Sequence, residues 1–170
     1  MAVTLNIRLP RGLAERLERE ARKLGLSLEE YVLELALRDL DPPERAREYV
    51  EAAKDLLSRA QEELEKGDVR QAAEKAWGAA ALAVKAYAEW RENKRLTSHG
   101  ELWEYSRKMI DELGSWIQDA WMNAAGIHVC FYEGWCTDKH VEEATKRIER
   151  LVGEVGKRVL AQDNHTIATS

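Results

Sequence analysis

The chain has 170 residues and a formal net charge of −5, with 45% hydrophobic and 34% charged residues. This composition is too apolar for a disordered protein and too rich in charge for a membrane-spanning one. The longest run of apolar or small residues, Ala76 to Val84, is far shorter than the roughly 20 residues that a spanning helix needs. We therefore expect a soluble, mainly α-helical protein of the cytoplasm, with no signal peptide and no membrane partner.

The first ten residues alternate between apolar and polar side chains and end at a proline. The apolar positions are Val3, Leu5, Ile7 and Leu9, and the polar positions are Thr4, Asn6 and Arg8. A period of two predicts a strand, and Pro10 ends it. Because the rest of the chain reads as helix, the only available partner is the same strand of a second copy. The pattern therefore predicts a homodimer.

Two helices are predicted between this strand and residue 41. Apolar residues at helical spacing after Pro10 predict the first, which Gly25 ends. Ser27 and Glu30 have the spacing of a capping box and open the second. Two consecutive prolines at 42–43 break that helix, so we place a boundary there and treat 1–41 as one segment.

Residues 44–160 are predicted to form an up-and-down bundle of four to five helices, followed by a flexible polar tail at 161–170. Glycines 67 and 114 end helices, and polar residues begin the following ones. The predicted starts are Asp68, Ser98, Ser115 and Asp138.

All six tryptophans lie in this bundle. Helical spacing assigns Trp77, Trp103 and Trp121 to the core. Trp135 stands in a connector beside Gly134, so two interpretations remain open: it covers a groove or dimer seam, or it caps the bundle.

The two cysteines, Cys130 and Cys136, are expected to be free thiols in a reducing compartment. With His128 and His140 they make up a ligand set that zinc accepts. However, residues two apart on a helix point about 200° apart, which separates His128 from Cys130. We therefore predict no metal site and no other cofactor.

Residues 3–40 resemble the ribbon-helix-helix family of DNA-binding dimers. The resemblance lies in the order of their elements: a strand, a proline, a helix, the turn Gly25-Leu26-Ser27 and a second helix. The resemblance implies that Thr4, Asn6 and Arg8 read base edges in the major groove and that Ser27 lies near a phosphate. Asn pairs well with adenine and Arg with guanine, and helix N-termini favour anions.

The charge of this segment does not favour DNA. Residues 1–40 carry seven Lys or Arg and seven Asp or Glu, so the net charge of −5 lies wholly beyond them. Glu29 and Glu30 also stand close to the implied phosphate position. A neutral segment supplies little of the electrostatic attraction on which DNA affinity depends. A module that only dimerises is therefore the alternative.

Residues 44–160 resemble the HEPN superfamily of helical bundles, in its archaeal PaREP type. The matching segments are residues 72–80, 98–103 and 125–133. The resemblance implies dimers whose helices meet around a cleft. Catalytic members are metal-independent ribonucleases with an Arg-x4-6-His motif in that cleft. Here His128 is present, but the positions that the spacing assigns to the arginine hold Asn123, Met122 and Trp121.

The missing arginine predicts a non-enzymatic homodimer with a regulatory or scaffolding role. DNA is a second candidate partner, bound through the N-terminal strand. The cleft residues implied by the resemblance are His99, Asn123, His128, Tyr132 and Glu133. Two alternatives remain. One is a metal-independent ribonuclease or toxin component that uses His128 with Lys108 or Lys139 as the cation, and the other is a bundle that binds the base or ribose of a nucleotide or RNA.

Overall fold

The structure is a computed structural model that describes residues 3–161. Within that range the chain forms seven α-helices, which confirms a mainly helical protein. They are α1 (Arg11–Lys23), α2 (Leu28–Ala36), α3 (Pro42–Glu65), α4 (Val69–Glu92), α5 (His99–Leu113), α6 (Trp116–Glu133) and α7 (Asp138–Ala161). The predicted flexible tail, 161–170, lies outside the described residues except for Ala161, the last residue of α7.

The N-terminal segment forms its two predicted helices, but residues 3–10 form no strand within the single chain. Because the predicted strand needs a second copy, its pairing stays a prediction. The second helix ends at Ala36, before the predicted end at residue 41. Residues 37–40 turn instead, and the guanidinium of Arg45 binds the carbonyl oxygens of Leu37, Arg38 and Leu40.

Helix α4 lies at the centre of the bundle and packs against α3, α5, α6 and α7. Sixteen of its 24 residues are buried, and most of these are alanines. A helix that is apolar on all sides must be surrounded, and small side chains let its neighbours approach closely. Helices α3 and α4 form the most extensive pair, joined by a short turn at Gly67.

The predicted helix starts are mostly confirmed by their caps. Ser27 with Glu30 and Ser98 with Glu101 form complete capping boxes. Asp68 also caps α4 by accepting a hydrogen bond from the backbone N–H of Gln71 at 3.0 Å. Ser115 makes no side-chain cap, because its backbone is already helical.

Two predictions about the bundle are wrong. Trp77 and Trp121 are buried as expected, but Trp103 is 41% exposed. It contacts Trp121 with its ring centroid 5.6 Å away and leaves its other side open. Cys130 and Cys136 are not free thiols: they form a disulfide with 5.6 Å between their Cα atoms, which suits such a bond. Gly134, in the left-handed conformation, turns the chain back after α6 and brings the two together.

A nearly buried polar network fastens α2 to the bundle. The carboxylate of Glu34 on α2 accepts hydrogen bonds from Lys85 at 2.6 Å, Tyr49 at 2.9 Å and Arg95 at 3.1 Å. Burial raises the pKa of Glu34, but these three partners outweigh it and hold the pKa below its usual value. Because Lys85 is itself buried, each charge depends on the other for compensation.

Candidate functional site

A cluster of aromatic and histidine rings, which we call the cleft, forms where α4, α5 and α6 meet. Trp77 of α4 stacks on His128 of α6, with ring centroids 4.5 Å apart and planes 22° from parallel. His99, the first residue of α5, presents its ring edge-on to both, at 5.9 Å from Trp77 and 5.5 Å from His128. Tryptophan stacking of this kind fixes the plane of the His128 imidazole.

Tyr132 forms the outer edge of the cleft. It lies one turn after His128 on α6, with its ring centroid 5.2 Å from the imidazole in an edge-on arrangement. The side chain is 62% exposed, so this side of the cleft faces solvent. On the inner side, Trp121 packs against Trp77 at 5.2 Å. The cleft therefore has a hydrophobic floor and an open aromatic rim.

His128 is held in its neutral form. Burial lowers the pKa of His128 to about 4, and the neighbouring His99 contributes in the same direction. Its Nδ1 atom is buried and has no hydrogen-bond partner among the described residues. A neutral ring stacked on tryptophan is suited to contact with another flat ring and is a weak proton donor near neutral pH.

The low pKa of His128 predicts a loss of stability in mild acid. The imidazole has a pKa of about 4 in the folded chain and about 6.5 when solvated. Between these values the unfolded chain binds a proton that the folded chain does not. The free energy of unfolding should therefore fall as the pH drops from about 6.5 to about 4, by about 1 to 2 kcal/mol, given that the ring is only half-buried. Urea unfolding at a series of pH values measures this fall.

His128→Gln should flatten the pH dependence of stability within that window, since glutamine does not titrate. His140→Gln, which replaces an exposed histidine of α7, is the matched control and should keep the dependence. An equal slope in wild type and His128→Gln would show that the acid sensitivity has another source. Carboxylates are common to both variants. Glu34, whose pKa lies below 4.5, loses its contribution as the pH falls below about 4.5, and burial raises the pKa of Glu74. The comparison between the two variants therefore isolates His128.

The structure brings together three of the five residues that the sequence assigned to the cleft: His99, His128 and Tyr132. Asn123 instead donates hydrogen bonds to the backbone oxygen and the Oδ1 atom of Asp119, at 2.9 and 3.2 Å, on its own helix. Glu133 is the exposed last residue of α6.

The two lysines considered as alternative cations lie elsewhere. Lys108 pairs with Glu92 and lies over the ring of Tyr105, nine residues beyond His99 along α5. Lys139 is an exposed residue in the first turn of α7.

Sequence reasoning missed two α4 residues at this site. Trp77 was assigned to the core alone, although it stacks on His128. Arg70 donates two hydrogen bonds to the carbonyl oxygen of Phe131, from Nε at 2.9 Å and from Nη2 at 2.7 Å, and so caps the last turn of α6. The signal was available: residues 70 and 77 are seven apart and therefore lie on one face of a helix.

The residues implied to contact DNA lie on the N-terminal segment. Thr4, Asn6 and Arg8 are all exposed. The hydroxyl of Ser27 accepts a hydrogen bond from the backbone N–H of Glu30, and the Glu30 carboxylate accepts one from the backbone N–H of Ser27. The first turn of α2 is thus capped by a carboxylate of the chain itself.

Negative charge also surrounds this segment in the folded chain. Glu29 pairs with Arg59 of α3. Thr4 lines a groove along α3 whose walls carry four carboxylates against two cations, Lys54 and Arg59; the carboxylates are Glu48, Glu51, Asp55 and Glu62. This surface disfavours the close approach of a polyanion.

The described residues 3–161 contain no group of three or more His, Cys, Asp or Glu side chains placed to hold a metal ion. The Nδ1 atom of His140 accepts a hydrogen bond from the backbone N–H of Thr137 at 3.0 Å. No helix in this part of the chain combines the length and apolar character needed to cross a membrane.

Comparison with known proteins identifies the bundle. The model of the archaeal PaREP1/PaREP8 family matches residues 48–152, from the second turn of α3 to the middle of α7. The chain belongs to this family. No curated protein and no solved structure matches the chain. The PaREP match includes every helix of the cleft and leaves the N-terminal segment outside it.

Proposed function

We propose that this PaREP-family protein is a non-enzymatic homodimer with a regulatory or scaffolding role, paired through its N-terminal segments as a ribbon-helix-helix module. The observation that carries the proposal is the exposure of three apolar side chains that would share one face of the predicted strand: Val3 at 80%, Leu5 at 77% and Ile7 at 74%. Side chains of this size are normally buried, and a row of them on one face indicates an interface.

The apolar surface continues onto both helices of the segment. Four more side chains there are exposed: Leu13, Leu24, Leu28 and Val32. Antiparallel pairing of residues 3–9 with a second copy would cover the first group and bring the helices of the two chains together. Helices α1 and α2 with the Gly25 turn have the order that this module requires.

The bundle supports the same proposal as a HEPN-like domain without catalytic machinery. His128 is neutral at physiological pH and Asn123 is bonded within its own helix. Neither residue supplies the positive charge that would stabilise a phosphate during cleavage, and the guanidinium of Arg70, a cation at this site, donates two hydrogen bonds to the carbonyl oxygen of Phe131. Ribonuclease chemistry is therefore not favoured by this geometry.

Sedimentation equilibrium of the full chain tests the pairing. The wild type should be a dimer, and the double variant Leu5→Asn/Ile7→Asn should weaken the dimer by about 100-fold or more, because two apolar side chains per chain no longer gain from burial. Asn6→Ser, on the opposite face of the predicted strand, is the matched control and should remain a dimer.

The same variants separate dimerisation from DNA reading. If the ribbon also reads bases, Asn6→Ser should weaken a sequence-specific DNA complex while the dimer persists. Equal DNA binding by wild type and Asn6→Ser would mean that Asn6 does not read bases and that the N-terminal segment serves only for dimerisation. A monomeric wild type would overturn the proposal altogether.

A further inference from the structure

The turn between α1 and α2 rests directly on the cleft. Gly25 has a φ of +68°, and a Cβ atom at this position would lie 3.1 Å from Cε1 of His99 and within 3.8 Å of both ring nitrogens. The 3.1 Å distance is shorter than an ordinary van der Waals contact, so a side chain there would require the imidazole or the turn to shift by a few tenths of an ångström. The backbone of the N-terminal segment therefore covers one side of a cleft residue.

The space between the turn and the cleft is almost completely filled. It holds a cavity of about 20 Å³, lined by the turn residues Leu24 and Leu26, by Trp77 and by His99. A ligand site for a molecule of ordinary size needs roughly 300 Å³ or more. With the turn in place, this side of the cleft is closed to anything larger than a water molecule.

The turn joins an anchored helix to an unanchored one. Beyond it, α2 is fastened to the bundle by Glu34 with Lys85 and Arg95. Before it, α1 packs mainly against α2 and carries exposed apolar side chains such as Leu13. If α1 moves when it gains or loses contacts with another chain, the α1–α2 turn is therefore the first part of the structure to move with it.

We propose that the α1–α2 turn is a lid on the His99 side of the cleft, and that the N-terminal segment controls access to the cleft through it. His99 is exposed on its outer side and Trp77 is buried, so displacement of the lid uncovers the edge of Trp77 and the part of the His99 ring that faces the turn, and it admits water beside the Trp77–His128 stack. The charged groups at the lid are Lys85 of α4 and Glu30 of α2, which line the same cavity. The link between the lid and pairing rests on the proposed function, whereas the lid itself does not.

Gly25→Ala tests the lid in the full chain. The added methyl group, together with the strain of alanine at a φ of +68°, should separate the turn from the His99 ring, so that the NMR contact between the backbone of residue 25 and the Hε1 proton of His99 weakens. With water admitted, the titration of His128 should move from about 4 toward the 6.5 of a solvated imidazole.

Gly67→Ala is the matched control. Gly67 has a φ of +80°, but a Cβ there would meet nothing within 4 Å, so this variant carries similar backbone strain without the clash. If His128 titrates alike in Gly25→Ala and Gly67→Ala, the lid is overturned. If Gly25→Ala unfolds, adding His99→Ala should restore folding by removing the ring that the methyl group strikes; a double variant that stays unfolded also overturns the lid.

The dimer-breaking variant Leu5→Asn/Ile7→Asn tests the link to pairing. Its His128 titration should differ from that of the wild-type dimer, because coupling between two sites is reciprocal. An unchanged titration in a monomeric variant overturns the link and leaves the lid standing. A monomeric wild type overturns both the proposed dimer and its link to the lid. In that case the comparison of Gly25→Ala with Gly67→Ala tests the lid by itself.

Discussion

Arg45→Met is expected to lower the free energy of unfolding by about 3 to 5 kcal/mol, the usual cost of removing one partner of a buried ion pair. Arg45 binds Glu89 at 2.8 Å, and Glu89 is only 1% exposed. Without the guanidinium, Glu89 stays buried with an uncompensated charge. The carbonyl oxygens after α2 would lose their donor as well. Urea unfolding followed by circular dichroism measures the loss.

Two further variants show whether the loss comes from the buried charge. Arg158→Met breaks a more exposed pair with Glu154 on α7 and should cost far less, because solvent screens the two charges. Arg45→Met combined with Glu89→Gln should recover part of the stability, because the remaining group is then uncharged. Equal losses in Arg45→Met and Arg158→Met would contradict the assignment.

Trp77→Ala is expected to cost about 3 to 5 kcal/mol and to loosen the cleft at the same time. The ring fills the space between His128 and Trp121, at 4.5 and 5.2 Å. Its removal leaves a cavity beside His128, where water can enter and raise the pKa of the imidazole toward 6.5. Thermal unfolding and NMR titration of His128 give the two readouts.

Trp103→Ala is the control for this prediction, because Trp103 contacts the same cluster from its exposed side. It should cost far less stability and leave the titration of His128 unchanged. Trp77→Phe should keep part of the stacking and fall between the two. A stable Trp77→Ala chain with an unaltered His128 titration would mean that Trp77 does not set the environment of the cleft.

Local signals in the sequence were sufficient for the helices. Ser27 and Ser98 cap their helices through residues three positions later, and Gly67 ends one through its own backbone. These interactions span a few residues, so their spacing along the chain determines them. The convergence of His99 with His128 was also within reach, because both stand near helix ends.

Contacts between distant residues were not predictable in the same way. Glu34 and Lys85 are 51 residues apart, and nothing near either one indicates a buried pair. Trp103 is exposed because no other helix within residues 3–161 covers the open side of its ring. The spacing of apolar residues along α5 does not show which of its sides is packed. The disulfide depends on the left-handed turn at Gly134, and the composition of residues 133–137 predicts a connector without specifying that turn.

The Glu34 network bears on how this protein is divided into parts. The PaREP match begins at residue 48, and the prolines at 42–43 suggest an easy place to cut the chain. A fragment that starts there would keep Lys85 buried in α4 while losing the carboxylate that neutralises it. The physical unit of folding is therefore longer than the family match. Any other segment that replaced residues 1–41 would have to supply an acidic side chain next to Lys85.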